Sequence, residues 1–269
     1  MSEKIKIKTI RTEEFSMDYF SFGNGPKDLV IIPGLSSVSV MEYADSIAEA
    51  YGILTDIFTV YVIERRNELP SSYSVFDMAR DTASAIRKLG LNKIDLFGTS
   101  QGGMISLVMA IEFPDLINKL AVGSSTAAVS REQYDKVIEI WADLAREGKA
   151  EELCLTFGKM IYPDTIFESA KDALIESAGS ITREDLDRFI ILAGSLDGFD
   201  ISDQLQNIKC PVLVIGSEDD KVLGAESSRN IYDRIGNRSE SVLFMYNGYG
   251  HAVYDLAPDY KQKLLAFFS

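Results

Sequence analysis

Short apolar runs alternate with amphipathic segments over the first 125 residues. Runs of strand length, apolar or alternating with a period of two, occupy residues 4–10, 15–23, 29–34, 57–64, 93–98 and 116–124. Apolar positions at helical spacing occupy 38–52, 75–89 and the segment after Gln101. The first two runs are close together, so we expect an antiparallel pair. The later alternation of strand and helix predicts a mostly parallel sheet with helices on both faces.

The pattern changes after Ser125. We find no convincing strand from 128 to 196, and two capping-box signatures, Ser130 with Gln133 and Thr182 with Asp185, mark helix starts. Together with apolar spacing between them, they predict about four helices.

The strand–helix alternation then resumes. Strands are expected at 211–218 and 241–248, and helices at 224–235 and 252–268. The predicted organisation is an α/β core of residues 1–127 and 197–269, with eight strands in all. An all-helical cap, residues 128–196, is inserted in this core.

Composition narrows the classes of partner. The chain has 269 residues, 46% of them apolar, and a formal net charge of −14. So acidic a chain repels phosphate backbones and anionic lipids, and we therefore expect neither nucleic acid nor membrane as partner. The acidity says little about a small-molecule substrate, which is the partner that we expect. The opening MSEKIKIKTI has no apolar signal-peptide core, which favours a cytoplasmic location and makes the Asn237-Arg238-Ser239 glycosylation pattern a chance match. The state of assembly stays open, with a homodimer as one alternative.

Two cysteines, Cys154 and Cys210, are too isolated to form a metal-binding or redox motif. We expect two free thiols in a reducing compartment and no metal site.

Residues 98–102, GTSQG, match the pattern G-x-S-x-G between a predicted strand and a predicted helix. A serine in such a sharp turn has a strained backbone, and flanking glycines remove Cβ atoms that would clash. The turn presents the hydroxyl of Ser100 at the carboxyl edge of the sheet, where open α/β folds bind ligands. An ordinary glycine-rich turn is the alternative. The segment lacks the spacing of a phosphate-binding loop.

A serine hydroxyl needs a base to become a nucleophile, and His251 is the sole histidine of the chain. It follows a predicted strand, so it lies at the same sheet edge as Ser100. A carboxylate that orients the histidine should follow the strand 211–218, where Asp219 and Asp220 are both candidates. The chain order Ser, Asp, His is typical of α/β-hydrolases.

These features together resemble the α/β-hydrolase superfamily, in particular its capped branch of small esterases, haloperoxidase-like hydrolases, carbon–carbon bond hydrolases and proline iminopeptidases. The resemblance covers nearly the whole chain and implies the roles of nucleophile for Ser100 and base for His251. In PVLVIGSEDDKV it selects Asp219 over Asp220 as the acid.

The resemblance also implies an oxyanion hole made of the backbone N–H groups of Leu35 and Gln101. Relatives often have His-Gly in the first of these loops, where this chain has Pro33-Gly34. Ser36 is either a helper there or a turn residue.

Substrate contacts are expected from the cap. The candidates, each of which could instead belong to the packed interior of the cap, are Trp141, Phe157, Met160 and Phe189. Where many relatives have a glycine-rich loop, this chain has Glu64, Arg65 and Arg66, which either form a solvated loop or line the pocket.

The implied activity is that of a serine hydrolase that cleaves a small carboxylic ester or related acyl compound through an acyl-enzyme, without metal or organic cofactor. Amidase or aminopeptidase, lactonase and carbon–carbon hydrolase activities use the same three residues and stay open. Acyl transfer and a non-catalytic small-molecule receptor are further alternatives. Dehalogenases and epoxide hydrolases of this fold use an aspartate nucleophile, which Ser100 argues against.

Overall fold

Eight strands form one sheet in the computed structural model, which describes residues 4–236 and 240–269. The Asn237-Arg238-Ser239 pattern therefore lies outside the described residues. The strands are β1 (Lys8–Arg11), β2 (Ser16–Phe22), β3 (Lys27–Ile32), β4 (Phe58–Arg66), β5 (Ile94–Thr99), β6 (Ile117–Gly123), β7 (Val212–Ser217) and β8 (Val242–Tyr246). Their order is β1-β2-β4-β3-β5-β6-β7-β8. β2 pairs antiparallel with β1 and β4, and the later neighbours are parallel. The predicted mostly parallel eight-stranded sheet is confirmed.

Helices connect the parallel strands. They are α1 (Ala44–Ala50), α2 (Val75–Lys88), α3 (Gln101–Glu112), α4 (Arg131–Gln133), α5 (Glu139–Arg146), α6 (Ala150–Ile161), α7 (Asp164–Ala178), α8 (Arg183–Gly194), α9 (Ala225–Ile235), α10 (Val253–Leu256) and α11 (Tyr260–Phe268). Short 3₁₀ turns span Val40–Tyr43, Gly52–Leu54, Pro114–Leu116 and Ser202–Asn207, and a π-helical turn, Tyr134–Ile138, joins α4 to α5.

The prediction of a single closing helix over 252–268 is wrong, because the chain forms two helices there, α10 and α11. Pro258 lies between them. A proline has no backbone N–H to donate and disfavours helical geometry in the residue before it, here Ala257, whose φ and ψ are extended.

The two faces of the sheet carry separate apolar cores. Along β3, Val30 and Ile32 pack on one face, and Leu29 and Ile31 on the other, as the period of two requires. The first face is covered by α2, α3, α9 and part of the helices between β6 and β7, the second by α1, α10 and α11. Burial on both faces explains why the central strands are almost wholly apolar.

The helices α4 to α8, here called the helical insertion, lie between β6 and β7 in the chain. Ser130 and Thr182 cap α4 and α8 through reciprocal capping boxes, as their sequence signatures predict. Within the described ranges, no helix is long and apolar enough to cross a membrane.

Candidate active site

Ser100 occupies the turn between β5 and α3 with φ 51° and ψ −121°, a conformation that residues with a side chain rarely adopt. Hydrogen bonds hold this turn in place. The Ser100 carbonyl accepts from the N–H groups of Gly103 at 2.9 Å and Met104 at 3.1 Å, and from the hydroxyl of Ser125 at 2.9 Å. The Ser100 side chain makes no capping hydrogen bond to the start of α3.

Glycines allow the neighbouring backbone to approach this turn. A Cβ atom on Gly102 would lie 2.1 Å from the carbonyl oxygen of Ile32 and 2.4 Å from that of Pro33. A Cβ on Gly98 would lie 2.3 Å from the Gly102 carbonyl oxygen. The loop after β3 therefore packs directly against the first turn of α3, next to Ser100.

His251 lies in the loop between β8 and α10, only 2% exposed. Its Nε2 is 3.0 Å from the Ser100 Oγ, and its Nδ1 is 2.9 Å from Oδ2 of Asp220. The three side chains, which come from three different loops at the carboxyl edge of the sheet, form one continuous hydrogen-bonded chain.

The carboxylate that contacts His251 is that of Asp220, and not that of Asp219 as expected. The second carboxylate oxygen of Asp220 accepts hydrogen bonds from the N–H groups of Val222 at 2.8 Å and Leu223 at 3.0 Å. Burial alone would raise the pKa of Asp220, but His251 and these two N–H groups hold it below its ordinary value. The carboxylate is therefore kept ionised next to the imidazole.

Asp219 has a different set of partners. It accepts from the Ser217 hydroxyl at 2.6 Å and from the backbone N–H groups of Gly248 at 3.0 Å and Gly250 at 3.1 Å. Burial would raise the pKa of Asp219, but these hydrogen bonds lower it. Asp219 thus ties the end of β7 to the loop that carries His251, without contacting the ring.

A small space, here called the serine cavity, adjoins Ser100 and His251 and has a volume of about 20 Å³, room for little more than one water molecule. Its wall includes Leu35, Trp141 and Phe157 together with Met104, Ile138, Ile161, Leu196, Val222, Leu223 and Tyr254. The helical insertion therefore reaches over the Ser100 hydroxyl.

The expected contacts from the insertion divide into two groups. Trp141 and Phe157 reach the serine cavity, and the buried indole N–H of Trp141 has no hydrogen-bond partner within the described part of the chain. Met160 and Phe189 do not reach the cavity, since Met160 packs against the core and Phe189 is fully buried against Phe157. Ser36 lies in the wall of a neighbouring recess instead.

Sequence reasoning missed seven residues of the cavity wall, which are Met104, Ile138, Ile161, Leu196, Val222, Leu223 and Tyr254. Tyr254 follows His251 by three residues, so its nearness in the chain was a usable signal. No comparable signal marked Ile161 or Leu196.

The expected oxyanion donors lie next to Ser100. Gln101 is the first residue of α3, so its backbone N–H has no acceptor within the helix. Leu35 contributes to the wall of the serine cavity.

Glu64, Arg65 and Arg66 form neither a solvated loop nor a part of either cavity wall, because β4 continues through them. Glu64 and Arg65 are buried, at 7% and 3% exposure, and Arg66 pairs with Asp81. Burial alone would raise the pKa of Glu64, but Arg65 and Arg188 hold it below its ordinary value.

Arg65 links the loop after β3 to the start of α3, next to Ser100. Its Nη2 donates to the Pro33 carbonyl at 2.7 Å and to Oε1 of Gln101 at 2.9 Å. The amide nitrogen of Gln101 in turn donates to the carbonyl of Leu192 at 2.7 Å and to the hydroxyl of Ser195 at 3.1 Å, at the end of α8. One network therefore joins the β3 loop, the start of α3 and the helical insertion.

No group of three or more His, Cys, Asp or Glu side chains that could hold a metal ion occurs within residues 4–236 and 240–269.

Comparisons with known proteins agree with this architecture. The chain is 23% identical over 203 residues to a protein of Pseudomonas syringae pv. syringae provisionally named a carbamate hydrolase, covering 75% of this chain and 77% of that protein. It is 20% identical over 240 residues to 3-oxoadipate enol-lactonase 2 of Acinetobacter baylyi, covering 87% of each.

Among solved structures, the α/β hydrolase enzyme MGS-M2 from a Medee basin deep-sea metagenome library superposes with a TM-score of 0.85 at 22% identity, covering 97% of each chain. At these identities the structural likeness shows the fold alone.

A family model for the α/β hydrolase fold matches residues 29–258, which include most of β3, the strands β4 to β8, the helical insertion and the loops of Ser100, Asp220 and His251. This protein is a member of the α/β-hydrolase fold family.

Proposed function

We propose that the protein is a serine hydrolase that cleaves a small carboxylic ester or a related acyl compound. The observation that carries the proposal is the hydrogen-bonded chain from Asp220 through His251 to Ser100, with Ser100 in a strained turn. A serine, a histidine and a carboxylate in this order of contact are the parts needed to generate a nucleophilic alkoxide.

In the proposed reaction, His251 Nε2 removes the Ser100 proton as Oγ attacks the acyl carbonyl. Asp220 stays ionised, fixes the ring through Nδ1 and stabilises the imidazolium. His251 then protonates the leaving group, leaving an acyl-Ser100, and activates a water molecule that releases the acid. The N–H groups of Leu35 and Gln101 are the proposed oxyanion donors, each worth about 3–4 kcal/mol in comparable enzymes.

Residues 128–196 are proposed to act as a cap that selects the substrate. Trp141 and Phe157 close the serine cavity from the side of the helical insertion, and we propose that the unpartnered indole N–H of Trp141 donates to a bound substrate. Because the cavity volume is about 20 Å³, binding of an ester requires side chains of this wall to move.

Lactone hydrolysis is the second candidate. It needs the same attack on an acyl carbonyl, and a relative that matches 87% of this chain is named an enol-lactonase. The leaving alcohol would then stay attached to the acyl group.

A fluorophosphonate probe tests the proposal directly, because it labels only an activated serine. The wild-type protein should be labelled and should hydrolyse short p-nitrophenyl esters, and Ser100→Ala should abolish labelling and reduce kcat by about 10⁴-fold or more. A wild-type protein that is not labelled, or a Ser100→Ala variant that is labelled equally, would exclude a serine hydrolase and favour a binding protein. Measurement of kcat/KM for a panel of esters, lactones and amides then shows which class of acyl compound the protein cleaves best.

A further inference from the structure

A larger recess, here called the side recess, adjoins the serine cavity and has a volume of about 540 Å³. Four residues, Leu35, Phe157, Ile161 and Tyr254, belong to the walls of both spaces. The side recess therefore lies directly beside the space that adjoins Ser100. Its volume lies within the ~300–1,000 Å³ of small-molecule sites, whereas the serine cavity is too small for a substrate.

Asp255 in α10 stands in the wall of the side recess and keeps exposed surface there. In the described part of the chain it forms no ion pair, and no hydrogen bond to its carboxylate is found. Tyr51, Tyr162 and Lys261 are near enough to interact with it electrostatically. Burial nevertheless raises the pKa of Asp255, with Lys261 opposing that rise.

Lys261 is engaged elsewhere. Its Nζ donates to the backbone carbonyl of Tyr254 at 2.6 Å and lies 5.3 Å from the centre of the Tyr51 ring. Burial lowers the pKa of Lys261. The lysine therefore balances the charge in the side recess without supplying a donor to Asp255.

Because the Asp255 carboxylate is exposed in the side recess and accepts no hydrogen bond from the described part of the chain, a ligand donor can bind to it without breaking a contact within the protein. A ligand carboxylate would be repelled by Asp255, and a ligand ammonium, although attracted by Asp255, would be repelled by Lys261. A neutral donor, such as a hydroxyl or an amide N–H, meets neither repulsion.

We propose that the side recess is a substrate subsite in which Asp255 accepts a hydrogen bond from a neutral donor at the far end of the substrate. This inference rests on the proposed serine hydrolase activity. The substrate class it names is an ester or lactone that carries a hydroxyl or amide group remote from the carbonyl that Ser100 attacks.

The test uses p-nitrophenyl esters of acids of equal length that end in methyl, hydroxyl, ammonium or carboxylate. A hydrogen bond to a charged acceptor should raise kcat/KM of the hydroxyl-ended ester about tenfold or more over the methyl-ended one. Asp255→Ala should abolish that ratio, and Asp255→Asn, which keeps one acceptor, should retain part of it. Asp233→Ala is the matched control, since Asp233 is exposed on α9 at the opposite face of the sheet.

Equal rates for hydroxyl and methyl ends, a preference for ammonium or carboxylate, or a ratio unchanged in Asp255→Ala would each overturn the subsite. These results all require ester hydrolysis, so they are distinct from failure of the proposed function.

A second readout does not depend on catalysis. Cys154 lines the side recess, whereas Cys210 does not, so a Cys210→Ser background isolates the Cys154 thiol. A hydroxyl-ended alkyl amide, which mimics the ester, should slow modification of Cys154 by methyl methanethiosulfonate, and Asp255→Ala should remove this protection. Absence of protection in the parent protein would contradict the subsite.

Discussion

At the scale of single residues, Asp219 and Asp220 show how adjacent carboxylates take different roles. Both follow β7, but Asp220 contacts the His251 ring and Asp219 accepts from the backbone of the loop that carries it. Side chains of neighbouring residues in a turn leave the backbone in different directions, so one residue cannot satisfy both positions.

Asp220→Asn should reduce kcat by about 10⁴-fold, because an amide at this position favours the wrong tautomer of His251. Asp219→Asn should reduce kcat far less and should act mainly on stability, by about 1–3 kcal/mol, because N–H donors would face an amide. Steady-state kinetics and urea unfolding of both variants separate the two effects. A larger kcat loss in Asp219→Asn than in Asp220→Asn would contradict the assignment.

The positions of Ser100 and His251 could be predicted because strand ends in a parallel sheet meet at one edge. The choice between Asp219 and Asp220 could not, since it depends on backbone dihedral angles in a turn that both residues share. Nor could helical periodicity separate Trp141, which reaches the serine cavity, from Phe189, which does not. Both lie on apolar helix faces, and only the packing of the insertion on the core decides which one meets Ser100.

At the scale of elements, the approach of the β3 loop to α3 decides whether Leu35 stays beside Ser100. Gly102 allows this approach because any side chain would meet the backbone oxygens of Ile32 and Pro33. A backbone carbonyl cannot rotate away as a flexible side chain can, so the two elements would have to separate.

Gly102→Ala should lower the free energy of unfolding by about 1–3 kcal/mol or more and should slow fluorophosphonate labelling of Ser100. Gly194→Ala is the control. Gly194 is exposed at the end of α8 with no atom near its hypothetical Cβ, so alanine should stabilise the protein by up to about 1 kcal/mol. Chemical denaturation and labelling rates measure both variants. Wild-type stability and labelling in Gly102→Ala would show that the two elements do not depend on this contact.

The overall architecture was the most predictable level, because eight apolar runs and the connecting helices each carry a local signal. The end of β4 was not predictable in the same way. Three consecutive charged residues are typical of a loop, but the strand continues because Glu64 pairs with Arg188 and accepts from Val40. Arg65 likewise donates to Pro33 and Gln101. Those partners come from distant parts of the chain, so no local pattern reveals them.

At the scale of the whole molecule, α8 is fastened to the core beside the proposed active site. Arg188 lies 3.7 Å from the Glu64 carboxylate and donates to the Arg66 carbonyl at 2.6 Å. Glu64 also accepts from the N–H groups of Val40 and Arg65 at 3.1 and 2.8 Å. One buried carboxylate thus joins β4, the loop before α1 and the helical insertion.

Glu64→Gln should therefore destabilise the protein at pH 7 by about 3 kcal/mol, because Arg65 and Arg188 lose a buried counter-charge. The difference should depend on pH. The pKa of Glu64 is lower in the folded protein than its unfolded value of about 4.3. The stability that the carboxylate contributes is consequently present above that value and is lost as the pH falls through the folded pKa. Urea unfolding of wild type and variant at pH 7, 5 and 3 should show that the difference between their free energies of unfolding narrows at pH 3.

The control is Glu168→Gln, at an exposed position of α7, which should change stability by no more than about 0.5 kcal/mol at any of these pH values. A gap for Glu64→Gln that stays constant from pH 7 to pH 3 would mean that the carboxylate charge does not hold the insertion to the core.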